Sequence, residues 1–262
     1  MTRLKSEWIK NPKEDIEKYD SRLKAITGMG ISEIAFKAAG LPPAEKSALN
    51  GIKAAVIRVS AGEGVIGSFA ETVAAVINYM GAEAFITENS DVAGIYEALA
   101  RGAEILFMAD DGRFIAVNVK TGAFSENDAA TAAGYTAALS AAAGGLSGRE
   151  VTLLGSGRLG RKAREYLSAE GAFVKVYEKG DRLPLPLSGL VFDATDSGAF
   201  IGAGDALPGT LFAAPGLPLL LDEEAYQMHK DSVMHDPLHT GVAVMLAMVL
   251  NKGGGSDGSY RL

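Results

Sequence analysis

The sequence predicts an α/β protein: an N-terminal helical element and a small α/β domain, a second α/β domain, and a C-terminal helix packing back on the first. Three observations carry this. Apolar runs of strand length alternate with helical periodicity twice, each time through a glycine-rich turn. An Ala-rich stretch separates the two alternations, and a last apolar run after Pro237 is so uniformly hydrophobic that something must cover it. With 262 residues, 48% of them hydrophobic, the chain can bury more core than one small domain holds. The expected division is residues 1–145, 146–238 and 239–262.

Lys13 to Leu41 read as helical, with Ile16, Tyr19, Leu23 and Ile26 at three- and four-residue spacing, broken at Thr27-Gly28 and resumed from Ile31 to Ala39. A strand at Ala54 to Val59, a helix from Ser68 to Met80 and a strand at Ala84 to Thr87 form a βαβ unit. Asn89 or Ser90 can cap a helix running through Ala100, which Gly102 can end. Ile105 to Ala109 is a third strand, turned at Asp111-Gly112 into Phe114 to Val119, an antiparallel edge hairpin. Asn127 to Ala143 is rich in the best helix former and reads as a packed connecting helix, ended by Gly144-Gly145. The second alternation has strands at Val151 to Leu154 and Phe173 to Tyr177 around a helix ending near Ala169. After the Pro-rich Leu183 to Leu187 come short strands at Leu190 to Ala194 and Thr210 to Ala214, then the apolar helix Val242 to Leu250. Gly253 to Leu262 reads as a frayed end.

A formal net charge of −7 with no Lys/Arg cluster argues against a nucleic-acid partner. The absence of Cys removes disulfides, thiolate metal sites and Cys nucleophiles, and suits a reducing compartment. The first twenty residues are too charged for a secretory signal, and no apolar run is long enough to span a bilayer, so a soluble, cytoplasmic protein without a membrane partner is expected. A homodimer stays an open option. The three His residues lack metal-ligand spacing, and no GxSxG, HExxH or Walker loop appears, so a metal site, a hydrolase and a kinase have no foothold.

GxGxxG occurs twice, at Gly62 to Gly67 and at Gly155-Ser156-Gly157-Arg158-Leu159-Gly160, each after a strand and opening a helix. In the dinucleotide fingerprint the glycines make the turn, admit the pyrophosphate and let helix and strand pack, while the helix N-terminus attracts the anion. Each loop has an acid ending the next strand, Glu88 and Glu178, placed to accept from an adenosine ribose. Glu63 would repel phosphate inside the first loop, whereas Arg158 has the right sign in the second. The strand ends at Ala194-Thr195 and Ala214-Pro215-Gly216 are small or turn-forming, as a dinucleotide crossing a parallel sheet needs. The second domain therefore reads as Rossmann-type, with a cofactor on Gly155 to Gly160, Glu178, Thr195, Pro215 and Gly216. The first loop is left for a substrate carboxylate or for nothing.

Asp111 with Gly112 reads as turn chemistry, while Asp110, at a strand end, can face the cleft and meet a substrate ammonium. In His235-Asp236-Pro237-Leu238-His239, Asp236 or a His can act where the chain crosses between domains, or these can be ordinary capping residues.

With those residues in view the chain resembles the pyrrolysine synthase family. The likeness is carried by Gly62-Glu63-Gly64-Val65-Ile66-Gly67-Ser68-Phe69-Ala70-Glu71, by Ile86 to Ala98, by Ile105 to Asp111, and by Val191 to Thr195, Ala214 to Pro218 and Asp236-Pro237-Leu238. It implies an NAD-dependent dehydrogenase that oxidises the side-chain amine carbon of lysine N6-acylated by 3-methylornithine. The resulting imine would cyclise to pyrrolysine with loss of ammonia. The resemblance places substrate contacts at Asp110, at Asp236 (where the family carries Glu), at Ala61 (Ser in the family), Gly62 and Glu63 (Asn in the family), and at Leu4, on an N-terminal helix over the substrate. Dehydrogenation of another amino acid or imine, and NAD binding without turnover, remain open alternatives.

Overall fold

A computed structural model describes residues 12–42, 49–62 and 67–251. Leu4, Glu63 and the expected frayed end from Gly253 lie outside the described residues.

Helix α1 (Pro12–Thr27) buries Ile16, Tyr19 and Leu23, and α2 (Ile31–Ala38) buries Ile31, Ile34 and Phe36. Gly28, at φ +75, makes the break between them. The start of α2 is held by Glu33, whose carboxylate accepts from Gly30 N–H at 2.8 Å, and by Asp20, which accepts from Ile31 N–H.

The first sheet contains β1 (Lys53–Arg58), β2 (Glu83–Ser90), β3 (Ile105–Ala109), β4 (Phe114–Asn118) and β5 (Phe124–Glu126), in the order β2-β1-β3-β4-β5. The first three are parallel, joined through α3 (Phe69–Met80) and α4 (Asp91–Ala100), and β3-β4-β5 is an antiparallel meander. The hairpin is as expected; β5 extends it, a three-residue strand too short to show a period.

A 17-residue helix, α5 (Asn127–Ala143), leads to the second sheet: β6 (Glu150–Leu154), β7 (Phe173–Tyr177), β8 (Leu190–Asp193), β9 (Leu211–Ala213) and β10 (Val233–Met234). These five strands are all parallel, in the order β10-β9-β8-β6-β7. Helix α6 (Arg158–Ala169) crosses from β6 to β7, and α7 (Glu223–His229) precedes β10. Numbered within the domain the order is 2-1-3-4-5, a doubly wound sheet whose direction of winding reverses between β6 and β8. A ligand crevice is expected outside the strand ends at that point.

The C-terminal helix α8 (His239–Leu250) packs on α2, α3, α5, β4 and β5, the covering that its apolar run Val242 to Leu250 requires. Its seat on α5 is close. A Cβ added at Gly134 would come within 2.6 Å of the Thr240 methyl and 2.8 Å of Val244.

Candidate functional site

A cavity of about 780 Å³ opens at the winding reversal of the second sheet and runs to the α5–α8 pair. The turn from β6 into α6 forms one wall. Gly155 turns the chain at φ +85, and a Cβ on Gly160 would meet the Gly155 carbonyl oxygen at 2.1 Å, so both positions require glycine. At Gly157 nothing lies within 4 Å of where a Cβ would stand, the open approach a phosphate needs at a helix start. Glu178 follows β7 on the same wall and accepts from the Ser156 hydroxyl, while Asp181 accepts from its backbone N–H at 2.8 Å. Ser156, Leu159, Thr195, Pro215 and Gly216 all line the cavity.

Asp193, the last residue of β8, fastens two of these walls. Its Oδ1 accepts from Thr195 N–H (3.0 Å) and hydroxyl (2.7 Å), and its carbonyl accepts from Gly216 N–H (3.0 Å). Its Oδ2 is buried with no hydrogen-bond partner among the described residues. A Cβ on Gly216 would lie 2.5 Å from that oxygen, so the close approach fixes glycine there.

Arg158 also lines the cavity, but its side chain turns away from the glycine loop. Nε meets Asp128 at 2.8 Å, Nη2 meets Glu126 at 2.6 Å, and Nη1 donates to the Gly112 carbonyl at 2.9 Å. The positive charge expected to favour phosphate is committed to carboxylates beside the first sheet. Anion attraction at this loop falls to backbone amides and the start of α6.

At the other end stands Asp236, buried, on the cavity wall. Oδ1 accepts from Leu238 N–H (2.8 Å); Oδ2 accepts from the hydroxyls of Thr240 (2.6 Å) and Tyr135 (2.9 Å). Burial alone would raise its carboxyl. His239, Thr240 and Tyr135 outweigh that and hold it well below the usual carboxylate range, so it stays ionised. His239 Nδ1 stands 3.5 Å from Asp236 Oδ1, its ring stacked on Tyr19 at 5.9 Å. Burial, then the Asp236 charge, pushes the Tyr135 phenol far up and keeps it neutral. His235 bonds the Ala214 carbonyl at 2.6 Å, and burial lowers its pKa.

The two adjacent acids of the hairpin depart from their expected parts. Asp110, exposed, closes the turn itself: its Oδ1 accepts from Gly112 N–H and Arg113 N–H, both at 2.7 Å. Asp111 instead lies against the first glycine loop, where a Cβ on Gly62 would run into its carboxylate. Neither acid lines the cavity, and neither do Ala61 and Gly62, which are exposed. Phe69, the first residue of α3, lines the cavity and packs edge-on against Phe114 at 5.1 Å.

Sequence reading missed Tyr135, Thr240 and Asp193, and also Asn127 and Thr131, which line the cavity on α5. A signal existed: 127, 131 and 135 are spaced four apart, a polar stripe on a helix otherwise mostly Ala.

Residues 8–125 match the family described as pyrrolysine biosynthesis protein PylD, N-terminal domain. The chain is 28% identical over 252 residues to the pyrrolysine synthase of Methanosarcina barkeri, covering 90% of this chain and 93% of that one. To the pyrrolysine synthase of Methanosarcina acetivorans it is 27% identical, covering 95% and 100%. Among solved structures it is similar to the bifunctional methylenetetrahydrofolate dehydrogenase/cyclohydrolase FolD of Campylobacter jejuni, with a TM-score of 0.52 and 14% identity over 92% of this chain and 95% of that one. At that identity the likeness concerns the fold.

Proposed function

We propose that this chain, a PylD-type protein related to the pyrrolysine synthases over nearly its whole length, is an NAD-dependent dehydrogenase acting on lysine N6-acylated by 3-methylornithine. One observation carries the reading. A single cavity joins a glycine turn built for a pyrophosphate, with an acid at the next strand end, to a buried carboxylate that stays ionised. The cofactor sits on residues 146–238; the substrate lies against residues 1–145 and the start of α8.

Gly155, Gly157 and the start of α6 hold the pyrophosphate, Glu178 receives the adenosine ribose hydroxyls, and Thr195, Pro215 and Gly216 support the nicotinamide end. Bound there, the cofactor supplies a hydride acceptor. The protein orients the amine-bearing carbon and excludes water. Asp236 attracts a substrate ammonium, and its hydrogen bonds from Tyr135, Thr240 and Leu238 fix the carboxylate in place. The carbon loses a hydride and its nitrogen a proton, giving an imine. The α-amine adds to that carbon, and ammonia leaves as the ring closes.

The test is reduced-nicotinamide absorbance on mixing protein, NAD and the acylated lysine, with ring formation followed by mass spectrometry. Folded protein that binds NAD and gives no absorbance rise overturns the proposal.

A further inference from the structure

We propose that Asn127 and Thr131 form a subsite for a neutral amide carbonyl, by which the protein selects an amide-linked substrate over a free amino acid; this rests on the function proposed above. Both side chains are half-buried and line the Asp236 end of the cavity, one helical turn apart on α5. The Thr131 hydroxyl donates to Asn127 Oδ1 at 3.4 Å, which leaves the carboxamide nitrogen as the pair's spare donor. That nitrogen has no partner among the described residues. A half-buried donor without a partner is costly unless a ligand or water takes it.

Gly241 makes room for the pair. A Cβ there would stand 2.6 Å from both Asn127 Oδ1 and Thr131 Oγ1, so the first turn of α8 is hollowed where these groups sit.

Charge decides what they accept. Around this end stand Asp236, ionised, and Asp128. The only cations among the described residues lining the cavity are Arg158, already bound to Glu126 and Asp128, and Lys179, on the glycine-loop side next to Glu178. A substrate carboxylate placed on Asn127 would face carboxylates with no free cation. A neutral carbonyl would not, and an amide linking two amino acids presents one while its ammonium meets Asp236.

The test is calorimetric titration of the acylated lysine into the NAD-saturated wild type and N127A, N127D, T131V and G241A. Gly241 lies inside α8, so Ala suits its backbone, and only the displaced polar pair should register. N127A and G241A should each weaken substrate binding about tenfold, N127D more, with NAD affinity unchanged. Free 3-methylornithine should bind the wild type at least tenfold more weakly than the amide, a gap that N127A narrows. Equal substrate affinity in wild type and N127A overturns the subsite, whether or not turnover occurs. Turnover missing from a wild type that binds both ligands overturns the oxidation and leaves the subsite standing.

Discussion

Replacing Asp193 by Asn should make the stability of the protein less dependent on pH in a defined direction. Asp193 is buried at the end of β8 with Oδ2 unpartnered, and burial, outweighing the two bonds from Thr195, raises its carboxyl from 3.8 to about 6. The native state therefore takes up a proton, between about pH 6 and pH 4, that the unfolded chain takes up only at lower pH. Ionised Asp193 is thus a cost, present in full above its folded value and relieved as pH falls toward the unfolded one. A rise from 3.8 to about 6 corresponds to about 3 kcal/mol. An Asn side chain of the same shape keeps an acceptor for Thr195 and carries no charge. D193N should gain on the wild type near neutral pH, and that advantage should shrink by about 2–3 kcal/mol between roughly pH 7.5 and 4.5. Urea melts at several pH values give the difference. Asp91 and Asp236, with lowered carboxyls, weaken both proteins alike as pH falls and cancel. A difference that is flat across this range would refute the reasoning, because no proton would then be bound at Asp193 on folding.

Glu178→Ala should weaken NAD binding about tenfold and relax the preference over NADP, read by fluorescence titration of both cofactors; unchanged affinity would put the ribose acid elsewhere. Gly160→Ala forces a Cβ onto the Gly155 carbonyl, backbone against backbone. It should cost about 1–3 kcal/mol in thermal melts and remove cofactor binding. Asp236→Asn loses the charge that its buried hydroxyl donors serve, and should cost about 2–3 kcal/mol. Substrate affinity should fall at least tenfold with NAD affinity kept, and a variant with wild-type KM would remove Asp236 from the substrate.

The long periodic elements were legible because three or more apolar residues at one spacing leave few alternatives, as in α1 with Ile16, Tyr19 and Leu23. Two of the short elements were not: β10 has two residues and β5 three, and their pairing is set by neighbours distant in sequence. Helix α7 stood between, since Asp222, which accepts from Ala225 N–H at 2.8 Å, followed by Glu223 and Glu224, is a start signal that went unused. At the site, backbone requirements were readable and side-chain directions were not. Gly155, Gly157 and Gly160 follow from what a phosphate-binding turn demands of the main chain. Which of Asp110 and Asp111 closes the hairpin depends on one dihedral choice that either residue type permits.

Arg158 shows how a correct charge argument can point to another partner. Its position beside the glycines suggested phosphate, yet the folded chain offers two carboxylates nearer, Glu126 before α5 and Asp128 in its first turn. The guanidinium also takes the Gly112 carbonyl, in the hairpin turn that Asp110 closes. One residue of the second glycine loop is thereby tied to the hairpin whose Asp111 lies against Gly62. Arg158 and Asp111 thus connect the second glycine turn to Gly62 through the hairpin, while Gly157 leaves open backbone at the start of α6.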